Sequence, residues 1–436
     1  MSVVLLTVDE TQDKKTPTTS HHPSHQLGHR NMKLAVLLLV TSGSASAVCQ
    51  SNIDCNLNGV CKDEICDCDT AWSGSPTCGT LSFASAAFRL YDGSTDVPQK
   101  SSSTSSWGGT PVFDSQTNQY YLFLSEFVNN CGLDNWSPNS RIIATSSPTL
   151  SGPFEFEYEV IPSFHHNPSI TRSADNSSFL MYMIGREVDP SELPDCSNNQ
   201  TSTIDPAPGN MESNITLLSA VSLRGPWTKV GVVLTGNDDI NEWDADTTNP
   251  SALVGAGGEV YLMYRGCVDQ CPEGSEQIGL SISKNGWNCS VDVPEGCRYE
   301  KIKGGPLFDA THESCEDPFL YRDSRGGWHA LLHRVGGNGG FACDENTGVG
   351  CDVGAHAFSS NGLEWTYSKE VAYTTTVKWS DGETEILNRR ERPILVFDEN
   401  GVPIMMTNGA QGSKEGNTCD TNEGCRSFTM GQFLET

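Results

Sequence analysis

Five short stretches carry the same signature: Thr110-Pro111-Val112-Phe113, Asn167-Pro168-Ser169-Ile170, Asn249-Pro250-Ser251-Ala252-Leu253, Asp317-Pro318-Phe319-Leu320 and Arg392-Pro393-Ile394-Leu395. In each, a proline opens an apolar run. Proline is tolerated at the first residue of a strand, where its missing N–H breaks no ladder bond. A second apolar run follows each copy: Tyr120 to Phe127, Phe179 to Ile184, Val260 to Arg265, Trp328 to Val335 and Pro403 to Thr407.

Third strands read clearly at Ile142-Ile143-Ala144-Thr145-Ser146 and Thr216-Leu217-Leu218-Ser219-Ala220. Turn text repeats too. Leu150-Ser151-Gly152-Pro153-Phe154 matches Leu223-Arg224-Gly225-Pro226-Trp227, and Ser283-Lys284-Asn285-Gly286-Trp287 matches the run from Ser359 to Trp365. Gly, Asn and Ser in such runs are turn residues ahead of an aromatic strand position. Fourth strands are weaker, near Val230 to Leu234 and Arg298 to Ile302. Repeating four-strand units without an amphipathic helix predict an all-β chain, a five-bladed β-propeller over 105–436. A sandwich needs far less chain and does not repeat. The blades are expected over 105–165, 166–240, 241–310, 311–380 and 381–436.

Charge narrows the partners. The chain has 436 residues and a formal net charge of -28. Binding to a polyanionic backbone needs clustered Lys and Arg, so nucleic acid and anionic membrane surfaces are not expected partners. Met32-Lys33, the apolar run Leu34 to Val40 and the ending Ala45-Ser46-Ala47 have the layout of a secretory signal peptide cleaved after Ala47. Residues 1–47 are therefore expected to be a signal peptide with a spurious extension, translation starting at Met32. The apolar run is too short to span a bilayer and the closing residues carry no anchor pattern, so no membrane insertion is expected. A secreted, extracellular protein follows, and five Asn-x-Ser/Thr sequons (Asn135, Asn176, Asn199, Asn214, Asn288) are consistent with that route.

Seventeen cysteines in an exported chain mean disulfides. Six fall within 48–79: Cys49, Cys55, Cys61, Cys66, Cys68 and Cys78. The Asn58-Gly59-Val60-Cys61 run and the Cys66-Asp67-Cys68 pair resemble an EGF-like module. That resemblance implies pairing of Cys49 with Cys61, Cys55 with Cys66 and Cys68 with Cys78, and a module able to contact an extracellular protein. So small a unit needs staples in place of a core. Residues 80–104 are expected to be a linker. Of the eleven remaining cysteines, Cys343/Cys351, Cys419/Cys425 and Cys289/Cys297 look like loop staples, and Cys315 is the candidate left over.

A propeller brings the starts of its first strands to one axis, so the residues around each repeat proline should converge on a pit. Those residues are unusual for turns. They include Trp107 in blade one; His165, His166 and Asn167 in blade two; and Asp246 and Asn249 in blade three, with Arg265 ending its second strand. Blade four supplies His312, Glu313, Glu316 and Asp317; blade five supplies Arg390, Glu391 and Arg392. Converging carboxylates and guanidiniums shift one another's pKa values. Such a pit suits a hydroxyl-rich ligand, with Trp107 offering a face to a sugar ring.

Five blades, proline-opened first strands and the Leu-x-Gly-Pro-aromatic turn resemble the five-bladed propeller glycosidases of the arabinanase, levansucrase and invertase superfamily, families 43 and 32 among them. The resemblance implies glycosidic bond cleavage by three acids: an Asp before the blade-one proline, an Asp before the blade-three proline, and a general-acid Glu two residues before the blade-four proline. Glu316 takes the last place. The blade-one place falls on Thr110 and the blade-three place on Asn249, so two carboxylates are missing. Glycoside hydrolysis ordinarily needs two carboxyl groups. The second is sought among Asp246, Glu313, Asp317 and Glu391, with His166 as a further acid–base candidate. Three functions fit this pattern: a divergent secreted glycoside hydrolase, a catalytically inactive glycan-binding propeller, and an adhesion or matrix protein working through its EGF-like part. Carbohydrate is the expected partner and no cofactor is expected. The resemblance implies a structural cation in the central channel, with His165, His166 and His312 nearest, but no zinc-type ligand spacing occurs and no metal ligand is assigned.

Overall fold

The computed structural model describes residues 49–91, 104–196, 214–268, 271–272, 274–288, 299–302, 305–308, 314–335, 352–413 and 426–436. Five four-stranded antiparallel sheets form the blades of a propeller. Their innermost strands are Ser106–Asp114, His165–Arg172, Asp246–Val254, Cys315–Arg322 and Arg389–Phe397. Each pairs with the strand that follows, as expected from the repeated apolar runs.

Blade five departs from the simple repeat. Its order runs Arg389–Phe397, Pro403–Gln411, Phe428–Leu434 and then Phe83–Arg89, a strand from ahead of blade one. The stretch expected as linker over 80–104 thus contains the outermost strand of the last blade. Leu434 pairs with Phe83 and Met430 with Arg89. Pairing a strand from ahead of blade one with the last blade closes the ring.

The apolar core is divided between neighbouring blades. Tyr121, Phe123, Met181 and Met183 fill the first gap; Leu180, Tyr182, Leu262 and Tyr264 the second; Met263, Leu280, Leu320 and Leu332 the third. Alternation explains how one strand serves two gaps: Leu180 and Tyr182 face one way, Met181 and Met183 the other. Burial of each such side chain stabilises by about 1.5–3 kcal/mol.

The cysteine-rich segment is stapled by Cys49–Cys61, Cys55–Cys66 and Cys68–Cys78. It packs on the propeller: Ala71, Trp72 and Leu81 share a cluster with Tyr321, Leu331, Tyr373 and Leu395 of blades four and five and the stretch between them. Two more disulfides, Cys131–Cys196 and Cys267–Cys271, staple loops of the propeller. Cys315 keeps its thiol, buried beside the Tyr367 hydroxyl at 3.5 Å. The pairs expected for Cys289/Cys297, Cys343/Cys351 and Cys419/Cys425 lie outside the described residues, as do the proposed leader and start.

Candidate functional site

One local device builds the hub. Every innermost strand breaks register at the same level, with two residues opposing one on the second strand. The bulging pairs are Gly108-Gly109, Asn167-Pro168, Asn249-Pro250, Asp317-Pro318 and Arg392-Pro393. The first residue of each is left-handed, with φ of 61°, 56°, 51°, 53° and 52° in that order. A bulge re-aims a side chain, and here it does so around one axis.

Blade one corrects the sequence reading. Its Pro111 stands beyond the bulge, paired with Leu122, so counting back from that proline gives Thr110, outside the equivalent place. Register makes Gly108 the counterpart of Asn167, Asn249, Asp317 and Arg392. An added Cβ at Gly108 would meet Cδ of Arg392 at 3.2 Å. Blade one therefore offers no side chain where the resemblance implies an acid.

Hydrogen bonds link successive blades around the axis. Thr110 Oγ1 donates to the Pro168 carbonyl at 3.3 Å, and Asn167 Nδ2 to Asn249 Oδ1 at 2.8 Å. The Leu320 amide donates to Ser251 Oγ at 2.9 Å. Arg392 donates to Asp317 from its backbone and its guanidinium, and Thr407 Oγ1 to the Gly109 carbonyl at 2.9 Å.

Above this ring lies a cleft of about 300 Å³, lined by Trp107, His166, Asn167, Asn249, Arg265, Glu316, Asp317 and Glu391, with Leu133, Asp134, Trp136 and Arg389. In blades one, two, four and five the residue before the bulge lines the cleft, namely Trp107, His166, Glu316 and Glu391; His333 stands opposite Glu316 and Arg265 opposite Thr248. Glu316 accepts from Arg265 Nη1 at 2.9 Å and lies 3.2 Å from His333 Nδ1. Glu391 accepts from Arg389 Nη1 at 3.2 Å. One oxygen each of Glu316, Asp317 and Glu391 and one nitrogen of His333 all fall within 4.8 Å of one another.

Protonation splits this cluster. Burial pushes the Glu316 carboxyl up, but the His333 hydrogen bond and the Arg265 guanidinium outweigh it and hold it at about 2. Asp317 is pushed up to about 6 by burial and the charges of Glu316 and Glu391, against the pull of Arg392. Burial also raises Glu391, with Glu316 adding and His333 and Arg389 opposing. His333 is raised overall: burial lowers it, and Glu391 and Glu316 more than compensate. The general-acid place read from the sequence is thus occupied by the group most firmly ionised.

Several expected site residues lie elsewhere. His165 turns Nδ1 to the Pro162 carbonyl at 2.6 Å and is not part of the cleft lining. Arg390 is buried inside blade five, bonded to Asn408, Thr374 and Gln432 and lying against Phe83 and Tyr373. Strand alternation explains both, since their neighbours His166 and Glu391 take the hub face. Asp246 acts on Arg265 through its charge but does not line the cleft. His312 and Glu313 lie outside the described residues. Trp107 lines the cleft yet is only 3% exposed, its ring against Gly409. The more exposed aromatic surface is Trp136, 5.0 Å from the His166 ring.

Leu133, Asp134 and Trp136 went unread because they lie in an insertion of blade one, tied to an insertion of blade two by Cys131–Cys196. His333 follows from hairpin register alone, which the sequence does not print.

Of the histidines implied for a channel cation, His312 lies outside the described residues, and His165 and His166 each engage Nδ1 and keep Nε2. His165 spends Nδ1 on Pro162, and His166 sits with Nδ1 2.7 Å from Ser140 Oγ. The carboxylates of the hub already face guanidiniums. Among the described residues, four buried polar atoms of the hub have no hydrogen-bond partner: Asn167 Oδ1, Thr248 Oγ1, Arg265 Nε and His333 Nε2. Leaving such atoms unbonded costs about 1–3 kcal/mol each. Asn167 and Arg265 of these line the cleft, whereas Thr248 and His333 lie behind it.

The fold places the chain among five-bladed propellers of the kind found in glycoside hydrolases. It is similar to an alpha-L-arabinofuranosidase from Podospora anserina solved in complex with cellotriose, with a TM-score of 0.51 and 9% identity over 81% of this chain and 98% of that one. It is also similar to a family 117 glycoside hydrolase produced by the marine bacterium Zobellia galactanivorans, with a TM-score of 0.49 and 14% identity over 80% and 89%. No protein-family model matches the chain, and no curated protein matches it in sequence. At such identities the likeness is one of fold.

Proposed function

We propose that this protein is a secreted, glycan-active enzyme, a divergent glycoside hydrolase working through Glu391 and Glu316. The observation carrying this reading is a pair of hub carboxyls with opposite protonation tendencies, Glu316 held ionised and Glu391 pushed up, with oxygens within 4.8 Å. Carboxyls whose environments drive their pKa values apart take acid and base roles. Oxygens no more than 4.8 Å apart leave less room than the about 6.5–9.5 Å of inverting glycosidases, and the reading taken is the retaining one.

In this reading the Glu391 carboxyl protonates the glycosidic oxygen as the bond to the leaving group breaks. Glu316 attacks the anomeric carbon, and a covalent glycosyl ester forms. Water then adds to that carbon, giving its proton to Glu391 and releasing Glu316. Asp317, tied to Arg392, holds the bulge and adds negative potential. The Asn167–Asn249 amide pair and Trp136 orient the sugar. Secretion is supported by the disulfides of the described region and by the sequons.

A second reading, glycan binding without turnover, is favoured by the glycine and asparagine at the two remaining carboxylate places, Gly108 and Asn249. The test is a screen for reducing-sugar release on plant and algal oligosaccharides, paired with calorimetry on the same sugars. Release that falls about 10²-fold or more in Glu391→Gln supports hydrolysis. Heat of binding without release from any sugar leaves the second reading.

A further inference from the structure

Where the cysteine-rich segment meets blade four, a polar chain, buried at its two histidines and exposed at its Arg325 end, starts and ends on that segment. Asn58 Nδ2 donates to the Cys78 carbonyl at 3.1 Å and faces His356 Nδ1 at 3.4 Å. His356 Nε2 faces His329 Nδ1 at 3.1 Å. His329 Nε2 lies 3.6 Å from Asp323 Oδ2. Asp323 accepts from Arg325, whose guanidinium also donates to Asp69 at 2.8 Å and to the Leu57 carbonyl at 2.7 Å. His356 and His329 are buried, at 0% and 1% exposure. The Trp72 ring lies against His356 at 4.9 Å, and Tyr321 stacks on His329 at 4.8 Å.

The direction of this chain is fixed. The Cys78 carbonyl holds the Asn58 amide with its NH₂ inward, so His356 Nδ1 must accept. His356 Nε2–H then donates to His329 Nδ1, and His329 Nε2–H points at Asp323. Each ring carries one proton. A proton added at His329 Nδ1 would set N–H against N–H. Moving the His356 proton to Nδ1 relieves that clash only by facing it to the Asn58 donors. Turning the Asn58 amide over sets its oxygen against the Cys78 carbonyl.

We infer that the His329–His356 pair is an acid-sensitive latch that weakens docking of the cysteine-rich segment on blade four as pH falls. Burial lowers both imidazoles; Asp323 and Asp69 pull His329 back up and Arg325 opposes them, while His329 lowers His356 further. Glu370, bonded to Ser368 and Asn56 at the same interface, is held low and stays ionised through the relevant range. The sign follows. Neutral imidazoles are favoured when docked, whereas a released histidine titrates near about 6.5. Docking strength is full above that value and is lost as pH falls below it.

Limited proteolysis of the intact protein between pH 7.5 and 5.0, cleavage sites mapped by mass spectrometry, tests this. Cleavage at 79–82, the exit of the segment, is scored against an exposed propeller turn cut in the same digest. The ratio should rise on the order of tenfold per pH unit below about 6.5. His329→Gln/His356→Gln should flatten the rise. Asn58→Asp supplies an acceptor to a protonated His356 and should reverse it, docking tightening on acidification. A pH-independent ratio in the wild type, or an Asn58→Asp profile matching the wild type, overturns the latch.

Discussion

Arg392 reaches back one blade to Asp317, giving its backbone N–H to Oδ2 at 3.1 Å and its guanidinium to Oδ1 at 2.8 Å. An arginine in left-handed backbone is uncommon, and this two-point grip holds it there. Both side chains are buried. Arg392→Ala leaves Asp317 without its counter-charge and should cost about 3–5 kcal/mol in urea unfolding. The loss should be larger at pH 8 than at pH 5. Without the guanidinium, Asp317 rises further from about 6 and is neutral at the lower pH. An equal cost at both values would show that the pair does not carry charge.

Gly108 tests the register assignment. Its φ of 61° and the nearby Arg392 side chain both bar a branched residue. Gly108→Val should lower stability by about 2–4 kcal/mol, and Gly108→Asn, which tolerates left-handed backbone, by about half as much or less. Thermal melts that rank the two variants alike would count against the bulge.

The cleft wall hangs on a staple. Leu133, Asp134 and Trp136 sit between Cys131 and the rest of blade one, and Cys131 is bonded to Cys196. Cys131→Ser/Cys196→Ser should cost about 2–4 kcal/mol while keeping the all-β circular dichroism. Affinity for any sugar the protein binds should fall by at least about tenfold, more than it does in a control variant of equal stability loss. Calorimetry reads this directly, and unchanged affinity removes the insertion from the site.

Turnover should follow Glu391 on its basic limb. Burial raises that carboxyl, so activity should persist above the ordinary carboxyl range and decline as pH rises and the acid proton is lost. Glu316, at about 2, stays ionised throughout. A pH–rate profile climbing toward alkaline pH would reject the assigned roles, as would inversion at the anomeric carbon by NMR.

Much of the hub was legible because the repeat proline marks the second bulge residue in four blades. Counting back from Pro168, Pro250, Pro318 and Pro393 therefore lands on the hub. It fails in blade one, where Gly108-Gly109 forms the bulge and Pro111 lies further along the strand. Alternation separates His166 from His165 and Glu391 from Arg390, a period-two signal present in the sequence and passed over. His333 and Trp136 were beyond reach: one depends on cross-strand pairing, the other on which two cysteines join. The protonation of Glu316 was not legible, because a motif position fixes a residue's place, whereas its proton affinity depends on Arg265 and His333 arriving from elsewhere.

The outer strand of blade five has a further consequence for biogenesis. Phe83–Arg89 leaves the ribosome before any blade exists, yet its partner, Phe428–Leu434, follows only after all the other strands of the five blades. The nascent chain must carry an unmatched ribbon until that partner emerges. Assembly of the ring should be slow and late, as expected for contacts so distant in sequence, and loss of Phe428–Leu434 would leave Phe83–Arg89 and Pro403–Gln411 without their shared partner.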